Sequence, residues 1–273
     1  MHSRTWTVMA LLAAIAPAAR AADLRVVADD AWCREGRGDW HGGPARHCEV
    51  REASWRAAGP VKADARPNGG IQAKGWDRDD VRLRVRVSAT GATVEEARAL
   101  AAQVRVETDG GVRVTGPDRR TQERQWWVSI RIDVPRNAEL ELEADNGGIH
   151  LEDFAGRARF STVNGGIHLD RVGGHLEGRT VNGGLHVTLA GSEWQGDGLD
   201  VATTNGGVHL EIPDGYNARL ETATVNGGVH SDLPVTGGRR PGRSGGRIET
   251  DLGRGGQLLR LQTTNGGLHV SQE

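Results

Sequence analysis

Six histidines, His150, His168, His186, His209, His230 and His269, each stand four residues after the asparagine of an Asn-Gly-Gly triplet. Two residues beyond them come Glu152, Asp170, Thr188, Glu211, Asp232 and Ser271, four of the six acidic. In an extended strand, residues two apart share a face, so a file of imidazoles is expected beside a file that is mostly carboxylate. Neutral imidazoles next to a carboxylate are ligands for Zn²⁺, Cu²⁺ or Ni²⁺. A stacked file would also respond to pH, because neighbouring imidazolium ions repel one another. The competing explanation is plain copying: an outward position of a duplicated unit repeats its residue, and the acids beside it offset charge. Nothing here resembles HExxH or another dedicated ligand spacing, so apart from these six histidines no cofactor is expected.

The elements that hold this file repeat. Asn-Gly-Gly occurs at Asn68, Asn146, Asn164, Asn182, Asn205, Asn226 and Asn265, and from Asn146 onward the spacings are 18, 18, 23, 21 and 39 residues. The long last gap contains Ser244-Gly245-Gly246, which reads as a degenerate copy. Around each asparagine the alternation is clean. Aliphatic residues flank the histidines, as in Ile149 and Leu151 or Leu185 and Val187, with Ser231 after His230 as the exception. On the other side, Leu140, Ala158, Leu176, Leu199, Leu220 and Leu259 are each followed by a charge: Glu141, Arg159, Glu177, Asp200, Glu221 and Arg260. Two residues before each asparagine comes Ala144 or a threonine, Thr162, Thr180, Thr203, Thr224 or Thr263, on the inward face. Each unit is therefore strand, Asn-Gly-Gly corner, strand, with Asn-Gly expected to supply positive φ at the corner. A meander of hairpins would satisfy this pattern. So would a coil in which every unit stacks on the one before, and only the coil rewards like above like, through asparagine amides bonded in a ladder. The expected fold is all-β: a β-solenoid-like coil of about 20-residue repeats over 136–273.

The rest is less regular. Residues 61–135 read as a capping β region. Val81, Leu83, Val85 and Val87 alternate with arginines, as do Val128, Ile130, Ile132 and Val134 with polar residues, and 93–103 (TVEEARALAAQ) reads as one short helix with a Thr cap. Asp109-Gly110-Gly111-Val112 looks like a worn repeat. Residues 22–60 form an N-terminal segment with the only cysteines, Cys33 and Cys48. In an exported chain they are expected to pair, with metal ligation beside His41 and His47 as the rival. Trp32, Trp40 and Trp55 cluster there, and filling the cap is favoured over sugar stacking; Trp194, in SEWQGDG, is the indole expected to be exposed.

Export itself is read from residues 1–21. Arg4, the apolar run Val8 to Ala16 and Ala19-Arg20-Ala21 make a signal peptide, too short to span a bilayer, and no later stretch is long enough. Its removal leaves 32 Lys and Arg against 36 Asp and Glu, a balance that argues against nucleic acid or an anionic membrane as partner. The chain is expected in the periplasm or at the cell surface. RTX-type calcium coils need Asp in GGxGxDxUx, which is absent, and no glycine cluster opens a helix as in a P-loop. No GxSxG serine or converging carboxylate pair marks an enzyme.

PNGGIQAKGWDRDDVRLRV at 67–85, VPRNAELELEADNGGIHLEDFAGRARFSTVNGGIHL at 134–169 and LRLQTTNGGLHV at 259–270 resemble the DUF4097 family of bacterial, β-rich proteins assigned an adhesin role. The likeness runs over roughly 48–270 and implies a β-solenoid-like fold with no catalytic residues. The function expected is thus an exported, non-enzymatic adhesin-like or scaffold module that binds a cell-surface, glycan or protein ligand and self-associates through an open coil end. The alternative is a periplasmic transition-metal-binding or pH-responsive protein that uses the histidine file.

Overall fold

The computed structural model describes residues 24–27, 31–35, 44–117, 124–233 and 245–272; the expected signal peptide, Trp40 and His41 lie outside them. Strand β1 (Arg25–Val27) and helix α1 (Ala31–Arg34) precede β2 (Ala45–Arg56), β3 (Val61–Asp64), β4 (Gly69–Trp76) and β5 (Asp80–Gly91). Helix α2 (Val94–Gln103) leads to β6 (Arg105–Glu107), β7 (Val112–Thr115) and β8 (Trp126–Pro135). The repeats supply β9 (Glu139–Ala144), β10 (Ile149–Glu152), β11 (Arg157–Asn164), β12 (Ile167–Asp170), β13 (His175–Asn182), β14 (Leu185–Thr188), β15 (Gly198–Asn205) and β16 (Val208–Ile212). Then follow β17 (Ala218–Asn226), β18 (Val229–Ser231), β19 (Gly246–Leu252), β20 (Leu258–Asn265) and β21 (Leu268–Gln272).

The chain is predominantly β, in two large mixed sheets. One has eleven strands in the order β1-β2-β5-β8-β4-β10-β12-β14-β16-β21-β18; the other has ten, β19-β17-β20-β15-β13-β11-β9-β3-β7-β6. Every NGG unit lays its first strand in the ten-stranded sheet and its second in the eleven-stranded one. Units pair in parallel and in register, so His150 lies beside His168, His168 beside His186, and Asn164 beside Asn182. Parallel pairing excludes the hairpin meander.

Inward aliphatics from both sheets meet in one core that runs from Val61 through Val270. It therefore joins the 61–135 region to the repeats. Leu140, Ile149, Leu151, Ile167, Leu169, Leu176 and Leu210 are almost fully buried in it. The asparagines make the expected ladder: Asn146 donates to Asn68 at 2.9 Å, and Asn164, Asn182, Asn205, Asn265 and Asn226 continue it at 2.8–2.9 Å.

The corner works differently from the expectation. None of its glycines has positive φ. The first glycine of each triplet is needed because the neighbouring unit's backbone presses on it: a Cβ on Gly183 would stand 2.0 Å from the Gly165 carbonyl oxygen, and one on Gly165 2.3 Å from that of Gly147. The inward threonines serve the same contact. Thr162, Thr180, Thr203 and Thr263 donate their hydroxyls to the carbonyls of Gly147, Gly165, Gly183 and Gly206 at 2.7–2.8 Å, so these buried polar groups are satisfied.

Stacking order also departs from chain order. The last unit, β20 and β21, inserts between β15/β16 and β17/β18. Stacking in chain order would set Asp200 against Glu221, a like-charge pair that sheets disfavour. Insertion puts Arg260 between them, 3.7 Å from Asp200 and 3.2 Å from Glu221. Of the expected Ser244-Gly245-Gly246 copy, Ser244 lies outside the described residues, Gly245 sits at φ 101° and Gly246 opens β19, which runs antiparallel to β17. Asp109-Gly110-Gly111 is likewise a hairpin turn between antiparallel β6 and β7, with Gly110 at φ 69°.

The N-terminal part carries the expected helix, its Thr93 cap accepting from the Glu96 amide at 3.2 Å. Cys33 and Cys48 form the disulfide, which fits the oxidising compartment of an exported protein; the rival ligand His47 instead lies 3.3 Å from Glu49. Trp32 is buried beside the disulfide, with the guanidiniums of Arg131, Arg86 and Arg84 at 4.2, 5.0 and 5.5 Å from its ring centroid. Trp194 is buried as well, contrary to expectation: its loop folds back and its indole donates to the Gly174 carbonyl at 3.0 Å. Among the described residues no helix is long and apolar enough to cross a membrane.

Candidate functional site: the histidine column

All six sequence-selected histidines fall in one column on the outer face of the eleven-stranded sheet, and Gln72 of β4 continues it beyond His150. Five of the six imidazoles have buried aliphatic residues on either side that anchor the strand in the core; His230 lies between Val229 and Ser231. The order in space is His150, His168, His186, His209, His269, His230. The insertion of β21 places His269 between two rings that are neighbours in the sequence.

The column is not uniform along its length. His150 and His168 have centroids 6.1 Å apart and planes tilted by 44°; His168 and His186 are 5.7 Å apart at 31°. From His186 onward the rings stack face to face, at 4.9, 4.9 and 5.0 Å with interplanar angles of 14°, 7° and 5°. That spacing is the separation of neighbouring strands in a sheet. Glycines Gly184, Gly207, Gly267 and Gly228 run alongside, and with His209, His269 and His230 they line a shallow groove.

The carboxylates divide the column in the same place. Glu152 is taken up by Lys74 at 2.8 Å and Arg171 at 2.6 Å, and Arg171 also pairs with Asp170 and, at 2.8 Å, with Asp153. The acids nearest His150 and His168 are thus neutralised by cations. Glu211 has no such partner among the described residues. Its Oε1 lies 3.0 Å from His209 Nε2 and 3.7 Å from His186 Nε2, while Thr188 Oγ1 donates to its Oε2 at 3.0 Å. Burial works against ionisation of Glu211, but the Thr188 hydroxyl and the two imidazoles outweigh it and hold the carboxyl below its usual range. Asp232, at the far end, meets His230 at 3.5 Å and no other charged partner among the described residues, and both are well exposed.

Burial pushes His168 down from its ordinary pKa, and the neighbouring His186 and His150 push the same way. The Nε2 of His150 is shielded from solvent and makes no hydrogen bond. His175, outside the column on the other sheet, pairs with Glu177 at 2.9 Å.

Sequence reasoning brought the six imidazoles together and missed two residues that decide which of them face a free carboxylate. Thr188 stood in the acid file as an exception, and its position beside Glu211 was the available signal. Arg171 follows Asp170 directly, but its φ of 51° swings it back along the column, which no pattern in the sequence foretells.

No family model matches the chain, and no curated protein matches it. Solved structures do. A "putative cell adhesion protein" from Clostridium sporogenes is similar over 82% of this chain and all of its own, at 7% identity and a TM-score of 0.41. A "putative adhesin" from Bacteroides fragilis is similar over 85% of this chain and all of its own, at 10% identity and a TM-score of 0.27. A "putative lipid binding protein" from Parabacteroides distasonis covers 83% of this chain with 97% of its own, at 10% identity and a TM-score of 0.31.

Proposed function

We propose that this chain is an exported, non-enzymatic β-solenoid that serves as an adhesin-like or scaffold module, presenting flat repetitive faces to a cell-surface, glycan or protein ligand. The observation that carries this reading is how the polar side chains are arranged. They stand one per unit in straight files, with the imidazoles 4.9–6.1 Å apart, and do not converge in a cleft. Catalysis concentrates a few perturbed groups around one reacting atom, whereas a file of like groups at strand spacing suits a repetitive or extended ligand. The Asn-Gly-Gly, GWD and VPR motifs, shared in type with the DUF4097 family, support the same reading. So do the disulfide and the alternating charges on the ten-stranded sheet, which keep both outer faces polar.

The test is binding of the labelled full chain to bacterial surfaces, glycan arrays and extracellular-matrix proteins, with a heat-unfolded sample as control. Saturable binding that the unfolded chain lacks is the expected result. Turnover of a polysaccharide, or no binding to any surface class, would overturn it.

A further inference from the structure

We infer that His186, His209 and Glu211 form a single site for a divalent transition-metal ion of the Zn²⁺ class, with one coordination position left open to solvent. The donor atoms of the three side chains already lie within 4.8 Å of one another. A tetrahedral ion bound at about 2.0–2.2 Å by nitrogen and oxygen sets its ligand atoms roughly 3.3–3.5 Å apart. The two distances to Glu211 Oε1, 3.0 and 3.7 Å, bracket that span. An imidazole binds an ion in its ring plane, so the rings must rotate to close on it; all three side chains are partly exposed.

Three features single out this unit pair from the rest of the column. Glu211 is the acid in the file that meets two imidazoles and no Lys or Arg among the described residues. Farther back, Glu152 and Asp170 are engaged by Lys74 and Arg171; at the other end, Asp232 reaches one ring. Thr188, whose hydroxyl holds Oε2, leaves Oε1 directed to the histidines. A hydroxyl bonded to the far oxygen of a ligating carboxylate fixes its orientation. Third, the Nε2 atoms of His186 and His209 both face Glu211 Oε1; the two rings, stacked within 14° of parallel, turn out of that stack to share one ion. Two imidazoles and one carboxylate with an open position are a three-ligand set by which proteins hold zinc. By the Irving–Williams order Cu²⁺ would bind the same set more tightly.

Calorimetric titration of the full chain with Zn²⁺ tests this. One equivalent is expected, weakened at least tenfold by Glu211→Gln and by His209→Gln. His150→Gln, the same change in the same column, is expected to leave affinity within twofold. Circular dichroism of each variant reports folding. If His209→Gln does not fold, Glu211→Gln, which alters one atom at a partly exposed site, carries the test. Absence of saturable binding, or equal weakening by His150→Gln and Glu211→Gln, would overturn the assignment. The adhesin-like reading makes no use of the ion, so the surface-binding and calorimetric results stand or fall separately.

Discussion

Glycine in each corner is held by the neighbouring backbone, so its replacement tests the stacking more sharply than any core truncation. An added methyl at Gly183 would sit 2.0 Å from the Gly165 carbonyl oxygen and 2.4 Å from its carbon. Neither atom can move without parting two units. Gly183→Ala is therefore expected to destabilise by about 3 kcal/mol or more, seen as a lower urea midpoint. Asn182, next to it, gives one hydrogen bond to Asn164 and takes one from Asn205. Asp153 offers a pH test at the same scale. The Arg171 guanidinium, with help from Lys74 and against the effect of burial, holds its carboxyl at about 2, below the ordinary 3.8. A folded-state pKa below the unfolded value means stabilisation present above pH 3.8 and lost as pH falls toward 2. Chemical denaturation from pH 5 down to about 2 should show this loss, and Asp153→Asn should reduce it. Asn tolerates the φ of 53° that Asp153 adopts, so the backbone is not at issue.

At the scale of elements, the inserted C-terminal unit depends on charge as well as on shape. Its Leu259, Leu261, Leu268 and Val270 are buried like those of any other unit, so the core would accept it at several places in the stack. On the outer face Arg260 alone separates Asp200 from Glu221. Arg260→Glu would line up three acids, and a loss of stability is expected from two lost surface pairs and the new repulsion. Because these groups are exposed, the cost should shrink in high salt; thermal unfolding of both proteins at low and high ionic strength measures it. A deficit that salt does not change would mean that packing sets the order of the units.

For the whole molecule, the ends of the two sheets differ. In the ten-stranded sheet, β19 closes the stack by pairing antiparallel with β17. In the eleven-stranded sheet, β18 is the last of the described strands and among them pairs with β21 alone. A short strand with one edge unpaired among the described residues is a template for another chain, so concentration-dependent self-association through this end is expected. Light scattering behind size-exclusion chromatography would show it, and a clean monomer at high concentration would count against it. The opposite end is covered by the long antiparallel strands β2, β5 and β8 and by α2, whose C-terminal carbonyls at Ala101 and Val104 accept from Arg51 at 2.9 and 2.5 Å.

Much of this architecture was legible from residue order alone, because it depends on local alternation. Period-two patterning determined which side chains face in, and that put six histidines and seven asparagines in files as soon as the units stacked in register. The Thr93 cap and the acids after it determined α2. Contacts between units determined the rest. Whether a corner glycine is present for φ or for close approach depends on the distance to a backbone 18 or more residues away, as between Gly183 and Gly165. The same holds for the burial of Trp194, for the place of β20 and β21 within the stack, and for Arg171 and Thr188, which leave Glu211 as the acid facing two imidazoles. Alternation assigns a residue to a face; only packing in three dimensions decides which neighbour it meets there.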